Sequence, residues 1–201
     1  ASDYGTLVVL RPWLLRATHA RITSSLRVVP LSVTSIGALQ RGELDLALSP
    51  RADLDGLDQF VFRPLVRDDY VLAMRPGHRC AHTPTSLEQY LAAHHVAVEN
   101  ARPGWSAVQR ALTELGHARH VLVRVPSLLT ALSMVAGSDL FVTLPSRIVQ
   151  ACGIPLVTQA LPFRVEPLEL HLVFHPRWTS DVHHRNIRQG LLDEVGAGSG
   201  V

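Results

Sequence analysis

Strand-like and helix-like segments alternate along most of this chain, and Ser, Gly or Pro separates them. Val121, Val123 and Val125 alternate with polar residues, as in a half-buried strand. Ser127 then begins a helix-like segment that ends at Gly137. Repetition of this unit is typical of domains in which helices cover a largely parallel sheet. We therefore predict an α/β fold.

The first quarter of the chain predicts one strand-helix-strand unit. A helix is expected within Gly5–His19, starting near Val8 or kinked there, because Pro12 has no amide hydrogen. Leu26–Val33 and Leu44–Leu48 are expected to be parallel strands joined by a helix that Gly42 closes. The later predicted strands are 59–66, 70–74, 95–98, 121–125, 140–144, 156–161 and 168–174, and the later helices are 86–91, 105–115, 127–136 and 181–195.

Composition excludes several classes of protein. The 201 residues have no uninterrupted apolar run of eighteen and no recognisable leader, so we expect a soluble, intracellular chain that forms one large or two small domains. The net charge is only +2 and the arginines are scattered, which does not favour a nucleic-acid surface. Cys80 and Cys152 are expected to be free thiols, and residues 196–201 a flexible tail.

Five motifs occur in an order and spacing that resemble the effector-binding (substrate-binding) domain of LysR-type transcriptional regulators. They are Ser2-Asp3-Tyr4 with the following Leu10-x-Pro12-x-Leu14-Leu15, the segment 41–48, the segment 64–78, the segment 137–145 and the segment 172–175. Any one of them is a weak signal, but together they span residues 1 to about 195.

The resemblance implies the fold of type II periplasmic binding proteins, in which two α/β lobes are joined by two crossover strands and a ligand binds in the cleft between them. Lobe I would contain residues 1–74 and 166–195, and lobe II residues 75–165. The implied function is ligand sensing in transcription regulation, in the cytoplasm and as a homodimer or homotetramer. DNA would be bound only through an N-terminal helix-turn-helix that this sequence does not contain, and no membrane partner is expected.

In open α/β sheets, ligands bind outside the carboxyl ends of strands, where helix N-termini and free amides converge. Ser127 suits a ligand carboxylate but also suits a helix cap, and Trp105 could stack on an aromatic ligand or begin the core face of its helix. Glu99 would repel an anion unless Arg102 pairs with it or the ligand carries a donor. The predicted ligand-binding residues are Ser2, Asp3, Tyr4, Ser49, Glu99, Asn100, Trp105, Ser127, Thr143 and Phe174.

Some relatives that respond to aromatic acids have histidine at the positions matched by Trp105 and Ser127, so the resemblance disfavours a salicylate-like inducer. No catalytic residue, metal or cofactor is predicted. His78-x-Cys80-x-His82 lacks the paired spacing of a zinc site, and no GxSxG elbow occurs. Asp68-Asp69 is interpreted as a solvated turn. Two alternatives stay open, namely an extracytoplasmic solute-binding receptor and an enzyme on the same fold.

Overall fold

The computed structural model describes residues 1–17, 25–30, 32, 34–50, 58–99 and 106–197. The chain divides into two units, which we call unit 1 (Ala1–Arg67 and Leu168–Val201) and unit 2 (Asp68–Pro167). The chain therefore passes between them twice, after residue 67 and after residue 167. The sequence-based partition placed these passages near 74 and 166, which differs mainly in assigning the strand 70–74 to the first lobe.

Unit 1 contains three strands and three α-helices among its described residues. The helices are α1 (Arg11–Ala17, preceded by a π-helical segment, Gly5–Leu10), α2 (Ser35–Arg41) and α7 (Val182–Ala197), and the strands are β1 (Leu46–Pro50), β2 (Val61–Asp68) and β8 (Leu168–Phe174). A 3₁₀ turn, Pro176–Trp178, links β8 to α7.

Unit 2 contributes the remaining elements. Its strands are β3 (Tyr70–Met74), β4 (His94–Val98), β5 (His120–Val125), β6 (Phe141–Pro145) and β7 (Val157–Ala160), and its helices are α3 (Leu87–Ala92), α4 (Ala107–Glu114), α5 (Leu128–Ala136) and α6 (Ser146–Ala151). The mixed content confirms the predicted α/β class.

The sheet of unit 1 has the order β1-β8-β2, so β8 lies at its centre. β1 and β8 are antiparallel, with Leu46 opposite Phe174 and Ser49 opposite His171. Leu39 of α2 packs with Ala47 and Val173 on this sheet. α7 lies close to α1. A Cβ atom added at Gly190 of α7 would lie only 2.6 Å from Nε1 of Trp13 on α1. Gly190 therefore permits a close approach that any other residue would disturb.

The predicted strand Leu26–Val33 is wrong for the residues that can be described. Residues 25–30 have no regular structure, and Leu26 and Val28 are exposed. No parallel partner for β1 is found among the described residues, since its ladder partner β8 is antiparallel. An apolar run indicates that a segment can be a strand, but a strand also needs a neighbour for its backbone hydrogen bonds. The predicted parallel βαβ unit is therefore also wrong.

The first helix starts earlier than Pro12 suggested. Helical backbone begins at Asp3, and the Arg11 amide bonds the carbonyl of Thr6, five residues back. A π-helical segment thus precedes the proline, and the α-helix that follows contains it. The proline therefore lies within the helix and neither starts nor ends it.

The sheet of unit 2 has the order β5-β4-β6-β3-β7. β4 is parallel to both β5 and β6, whereas β3 is antiparallel to both β6 and β7. Tyr90 and Leu112 from the helices pack with Phe141 and Met74 from the strands in the core. The carboxyl ends of three parallel strands therefore meet at one edge of this sheet.

Local sequence signals set the helix ends of unit 2 as predicted. Ser86 and Gln89 form a reciprocal capping box on α3, and Ser127 caps α5 by accepting the Thr130 amide at 3.3 Å. Gly116 follows α4 with φ of 73°, a conformation that glycine adopts without strain. These three predictions are confirmed.

The sequence analysis interpreted Asp68-Asp69 as a solvated turn. The structure shows that this is wrong for Asp68. It ends β2 with 4% of its surface exposed, while Asp69 is exposed. The Asp68 carboxylate accepts the Ser146 hydroxyl at 2.6 Å and the Arg147 amide at 3.0 Å, at the start of α6. A buried carboxylate at a helix N-terminus satisfies amides that have no partner within the helix. Asp68 therefore has a structural role.

Two further points concern the chain as a whole. Among the described residues, no helix is both long and apolar enough to cross a bilayer. The predicted flexible tail begins at Gly196, which with Ala197 ends α7, and residues 198–201 lie outside the described part of the chain.

Candidate ligand-binding site

The N-terminal segment of unit 1 places Ser2 at the start of the first helix. The Ser2 carbonyl accepts the amide of Thr6 at 2.9 Å and its hydroxyl at 2.9 Å, and the Ser2 hydroxyl accepts the Gly5 amide at 3.4 Å. A Cβ atom at Gly5 would lie 3.1 Å from the Cβ of Leu48. The helix start therefore lies against β1, next to the strand residue that precedes Ser49.

The other predicted residues of this region differ in exposure. Ser49 and Tyr4 are buried, and Asp3 is half-buried. A second set of hydroxyls opens α2, where Ser35 accepts the Ser32 amide at 2.9 Å and Ser32 lies 2.8 Å from the hydroxyl of Thr34. The joint Thr34-Ser35 was among the strand-to-helix joints that the sequence pattern indicates, but Ser32 was missed because it lies before the joint.

Phe174 lies apart from Ser49 within unit 1. Because β1 and β8 are antiparallel, Phe174 faces Leu46 at the amino end of β1, and Ser49 lies near its carboxyl end. Phe174 is buried beneath Arg188, whose guanidinium carbon is 4.2 Å from the ring centroid. The structure therefore places Phe174 with α7 and not with the N-terminal segment.

Two of the predicted residues in unit 2 lie at the carboxyl edge of its parallel strands. The Glu99 amide donates to the Val125 carbonyl at 2.8 Å, so Glu99 lies within two residues of Ser127 along the adjacent strand end. The Glu99 carboxylate is exposed and 3.7 Å from the Arg124 guanidinium. An exposed pair of this length contributes at most about 1 kcal/mol, but it provides a cation beside Glu99.

Arg124 was missed by the sequence reasoning. It alternates with Val123 and Val125 on β5, so its side chain faces the opposite side of the strand from theirs. The signal that could have found it is this alternation, combined with the pairing of β4 and β5 that puts Ala97 opposite Arg124.

Thr143 is committed to a buried network in unit 2. Its hydroxyl is 2.8 Å from the Tyr90 hydroxyl, which also accepts from Arg119 at 3.3 Å. Tyr90 was missed as a polar residue because it occupies a core position of α3. A tyrosine at such a position usually brings a hydrogen-bond partner for its hydroxyl into the core.

The same cluster contains an uncharged histidine. His95 is 0% exposed, and its Nε2 is 2.7 Å from the Tyr90 carbonyl, which can only accept, so Nε2 carries the proton. No partner is found for Nδ1 among the described residues. Burial lowers the pKa of His95 to about 4, with smaller opposing and supporting contributions from the Tyr90 carbonyl and from Arg119, His94 and His120. His95 is therefore neutral at pH 7.

Asn100 and Trp105 lie outside the described residues, as does Arg102, the expected partner of Glu99. Within the described part of the chain, no three His, Cys, Asp or Glu side chains are placed to hold a metal ion. Cys80 and Cys152 are free thiols, as predicted. His78 is buried, and its Nδ1 accepts the Cys80 amide at 3.1 Å, so it supports the turn that contains it.

Comparison with known families identifies the chain. The sequence model of the LysR substrate binding domain matches residues 1–195, and the chain therefore belongs to this family. The activator NahR of Pseudomonas putida, described as an HTH-type transcriptional activator, is 28% identical over 81% of this chain and 54% of its own length. The chain spans about half the length of the curated relatives it matches. The names of these relatives describe transcriptional regulators and not enzymes.

Solved structures agree on the fold. A probable transcriptional regulator of Pseudomonas aeruginosa, PA0477, superimposes with a TM-score of 0.83 at 27% identity, covering 94% of this chain and 63% of that one. The effector binding domain of QuiR in complex with shikimate gives a TM-score of 0.70 at 12% identity, covering 94% and 88%. The fold is that of type II periplasmic binding proteins, as the resemblance predicted.

Proposed function

We propose that this domain senses a small organic effector for a LysR-type regulator and passes the signal to a DNA-binding segment outside the chain. Family membership over residues 1–195 is the observation that carries the proposal. The relatives are named as HTH-type regulators, and one domain of the same fold binds shikimate. Such a regulator acts on DNA, so we place it in the cytoplasm. Binding energy would change the conformation only to the extent that the effector prefers one state.

We further propose that polar groups at strand ends bind the effector. In unit 1 these are Ser2 and Ser49, and in unit 2 Ser127; Thr143 is left out because its hydroxyl is already paired with Tyr90. Asn100 and Trp105 stay predictions from the sequence. The half-buried Ser127 hydroxyl at the start of α5 supports this proposal. A helix N-terminus favours an anionic group, so a carboxylate is the effector group that fits best.

Replacing Ser127 by alanine is expected to weaken effector binding about threefold to tenfold, because one hydrogen bond of roughly 0.5–1.5 kcal/mol is lost. The effector is first found by thermal shift against panels of aromatic acids, hydroxylated cyclic acids such as shikimate, and amino acids. Its affinity for the wild-type and variant domains is then measured by isothermal titration calorimetry.

Ser86→Ala is the matched control. Ser86 caps α3 as Ser127 caps α5, so both variants lose a cap worth about 1 kcal/mol of stability. Only Ser127→Ala is expected to change the affinity. An equal loss in both variants, or no hit in any panel, would contradict the proposal. Turnover of a ligand, lost in Ser127→Ala, would instead support the alternative of an enzyme on the same fold.

We also propose that the domain self-associates through α1 of unit 1 and the β5 edge of unit 2. Leu15 on α1 is 59% exposed and Leu122 on β5 is 56% exposed, and β5 lies at the edge of the sheet that the described residues form. Exposed leucines on an edge favour association, since each buries apolar surface when a partner covers it. Light scattering is expected to give twice the monomer mass of 22.0 kDa.

Leu122→Glu is expected to convert the dimer to a monomer, because a carboxylate would have to be desolvated in the interface. Leu129→Glu is the control, since Leu129 is also an exposed leucine of unit 2 but belongs to α5. A monomeric wild-type domain at high concentration, or the same mass for all three proteins, would rule out this surface.

A further inference from the structure

A pocket of about 230 Å³ lies entirely within unit 1, beside Phe174 and therefore at the opposite end of the β1–β8 pair from Ser49. Its walls come from β2, the end of β8, the turn that follows and one side of α7. The lining residues are Val61, Arg63, Phe174, Thr179, Arg185, Arg188, Gln189 and Leu192. The volume is below the roughly 300–1,000 Å³ of pockets for drug-sized ligands, which limits an occupant to a small molecule.

Three arginines line this pocket, and none of its lining residues is acidic. None of the three is in an ion pair of the described residues. The pKa of Arg188 is lowered, first by burial and then by the charges of Arg185 and Arg63, with Asp181 opposing. Repulsion between these positive charges raises the free energy of the unliganded protein. A bound anion would offset that repulsion.

Arg188 differs from the other two arginines because its position is fixed. It is 8% exposed, and its guanidinium donates to the Trp178 carbonyl at 2.8 Å and to His184 Nδ1 at 2.5 Å. It also donates to the Thr179 carbonyl at 3.4 Å and covers the Phe174 ring. Arg63 and Arg185 are exposed, and the Arg185 guanidinium makes a long hydrogen bond of 3.3 Å to the Ser180 carbonyl. These two guanidiniums can therefore turn towards a ligand.

The acidic group that faces Arg188 does not neutralise the pocket. Asp181 lies outside the lining, and its carboxylate accepts the His184 amide at 2.7 Å as the cap of α7. Val61, Phe174 and Leu192 supply the apolar part of the lining, and Thr179 and Gln189 supply uncharged polar groups. A molecule with one anionic group and an apolar body matches this arrangement.

We propose that this pocket is a second ligand site, which binds a small organic acid separately from the effector site. Arg63 and Arg185 would hold its anionic group in charge-assisted hydrogen bonds, and Phe174, Val61 and Leu192 would contact its apolar part. Arg188 lies in the pocket lining, where its hydrogen bonds fix its position, and adds a positive charge to the pocket.

The probes are phenylacetate, 3-methylbutanoate and phenyl phosphate, with phenylacetamide as the neutral counterpart of the first. Calorimetry on the wild-type domain is expected to show binding of at least one acid and none of the amide at the same concentration. The double variant Arg63→Gln, Arg185→Gln is expected to bind that acid at least tenfold more weakly. Both residues are exposed, so its unfolding temperature should match or exceed that of the wild type.

The control is Arg110→Gln, Arg164→Gln, which removes the same charge from exposed positions of unit 2. Its affinity for the acid is expected to be unchanged. Equal weakening in both double variants would show a net-charge effect and overturn the proposal, as would no binding of any probe at millimolar concentration. Ser127→Ala is expected to leave this binding intact, and loss in that variant would assign the acid to the effector site and also overturn the proposal.

Discussion

Lowering the pH from 7 to 4 is expected to reduce the free energy of unfolding by about 3 kcal/mol through His95 alone. The folded pKa is about 4 and the usual value is 6.5. Between these values the unfolded chain binds more protons than the folded one, so stability falls as the pH falls. Above pH 6.5 His95 causes no loss of stability, and below about pH 4 the loss is complete.

The physical cause is first the burial of the His95 ring, which removes the charged form from water. Protonated His95 would carry a hydrogen on Nδ1, which has no partner in the described structure, and a charge close to Arg119. Burial thus penalises the charged form. His78 adds a smaller contribution in the same direction, because burial lowers its pKa too.

Urea unfolding at several pH values between 7 and 4 measures this slope. His95→Leu is expected to lower the stability at pH 7, since the Tyr90 carbonyl loses its donor, but to remove most of the acid slope. The exposed His117→Gln serves as the control and should keep the wild-type slope. An acid slope that persists undiminished in His95→Leu would show that other groups cause it.

Helix ends could be predicted from the sequence because their causes are local. Ser86, Ser127, Gly42 and Gly116 act on amides and carbonyls within a few residues of themselves. The strand assigned to Leu26–Val33 failed because a strand depends on a distant neighbour. Hydrophobic pattern does not reveal which segment supplies that neighbour.

The sequence could predict which residues lie at the ends of strands. It could not predict the direction in which their side chains point. Parallel β4 and β5 bring Glu99 close to Ser127, as the rule for parallel strands requires. Antiparallel pairing of β1 with β8 puts Phe174 at the other end from Ser49, and a one-dimensional pattern does not distinguish the two pairings. The Thr143 hydroxyl turns to Tyr90, a contact between residues 53 positions apart.

Replacing Asp68 by alanine is expected to lower the free energy of unfolding by about 3 kcal/mol, the second large effect. Two hydrogen bonds to a charged acceptor are lost, each contributing roughly 1.5–3 kcal/mol, and the first turn of α6 loses its cap. Part of that loss is recovered because the carboxylate no longer has to be kept out of water. Urea unfolding at pH 7 measures the difference.

The adjacent residue provides the control, because Asp69 is exposed and bonds Ser146 only through its backbone carbonyl at 2.9 Å. Asp69→Ala removes the same charge and should change stability by less than about 0.5 kcal/mol. Asp68→Asn keeps one acceptor oxygen and should fall between the two. If Asp68→Ala were as mild as Asp69→Ala, the carboxylate would not hold α6 to the end of β2. If the two alanine variants differ as expected, an Asp-Asp pair that looks like an exposed turn in sequence is divided by the fold into one structural and one solvated carboxylate.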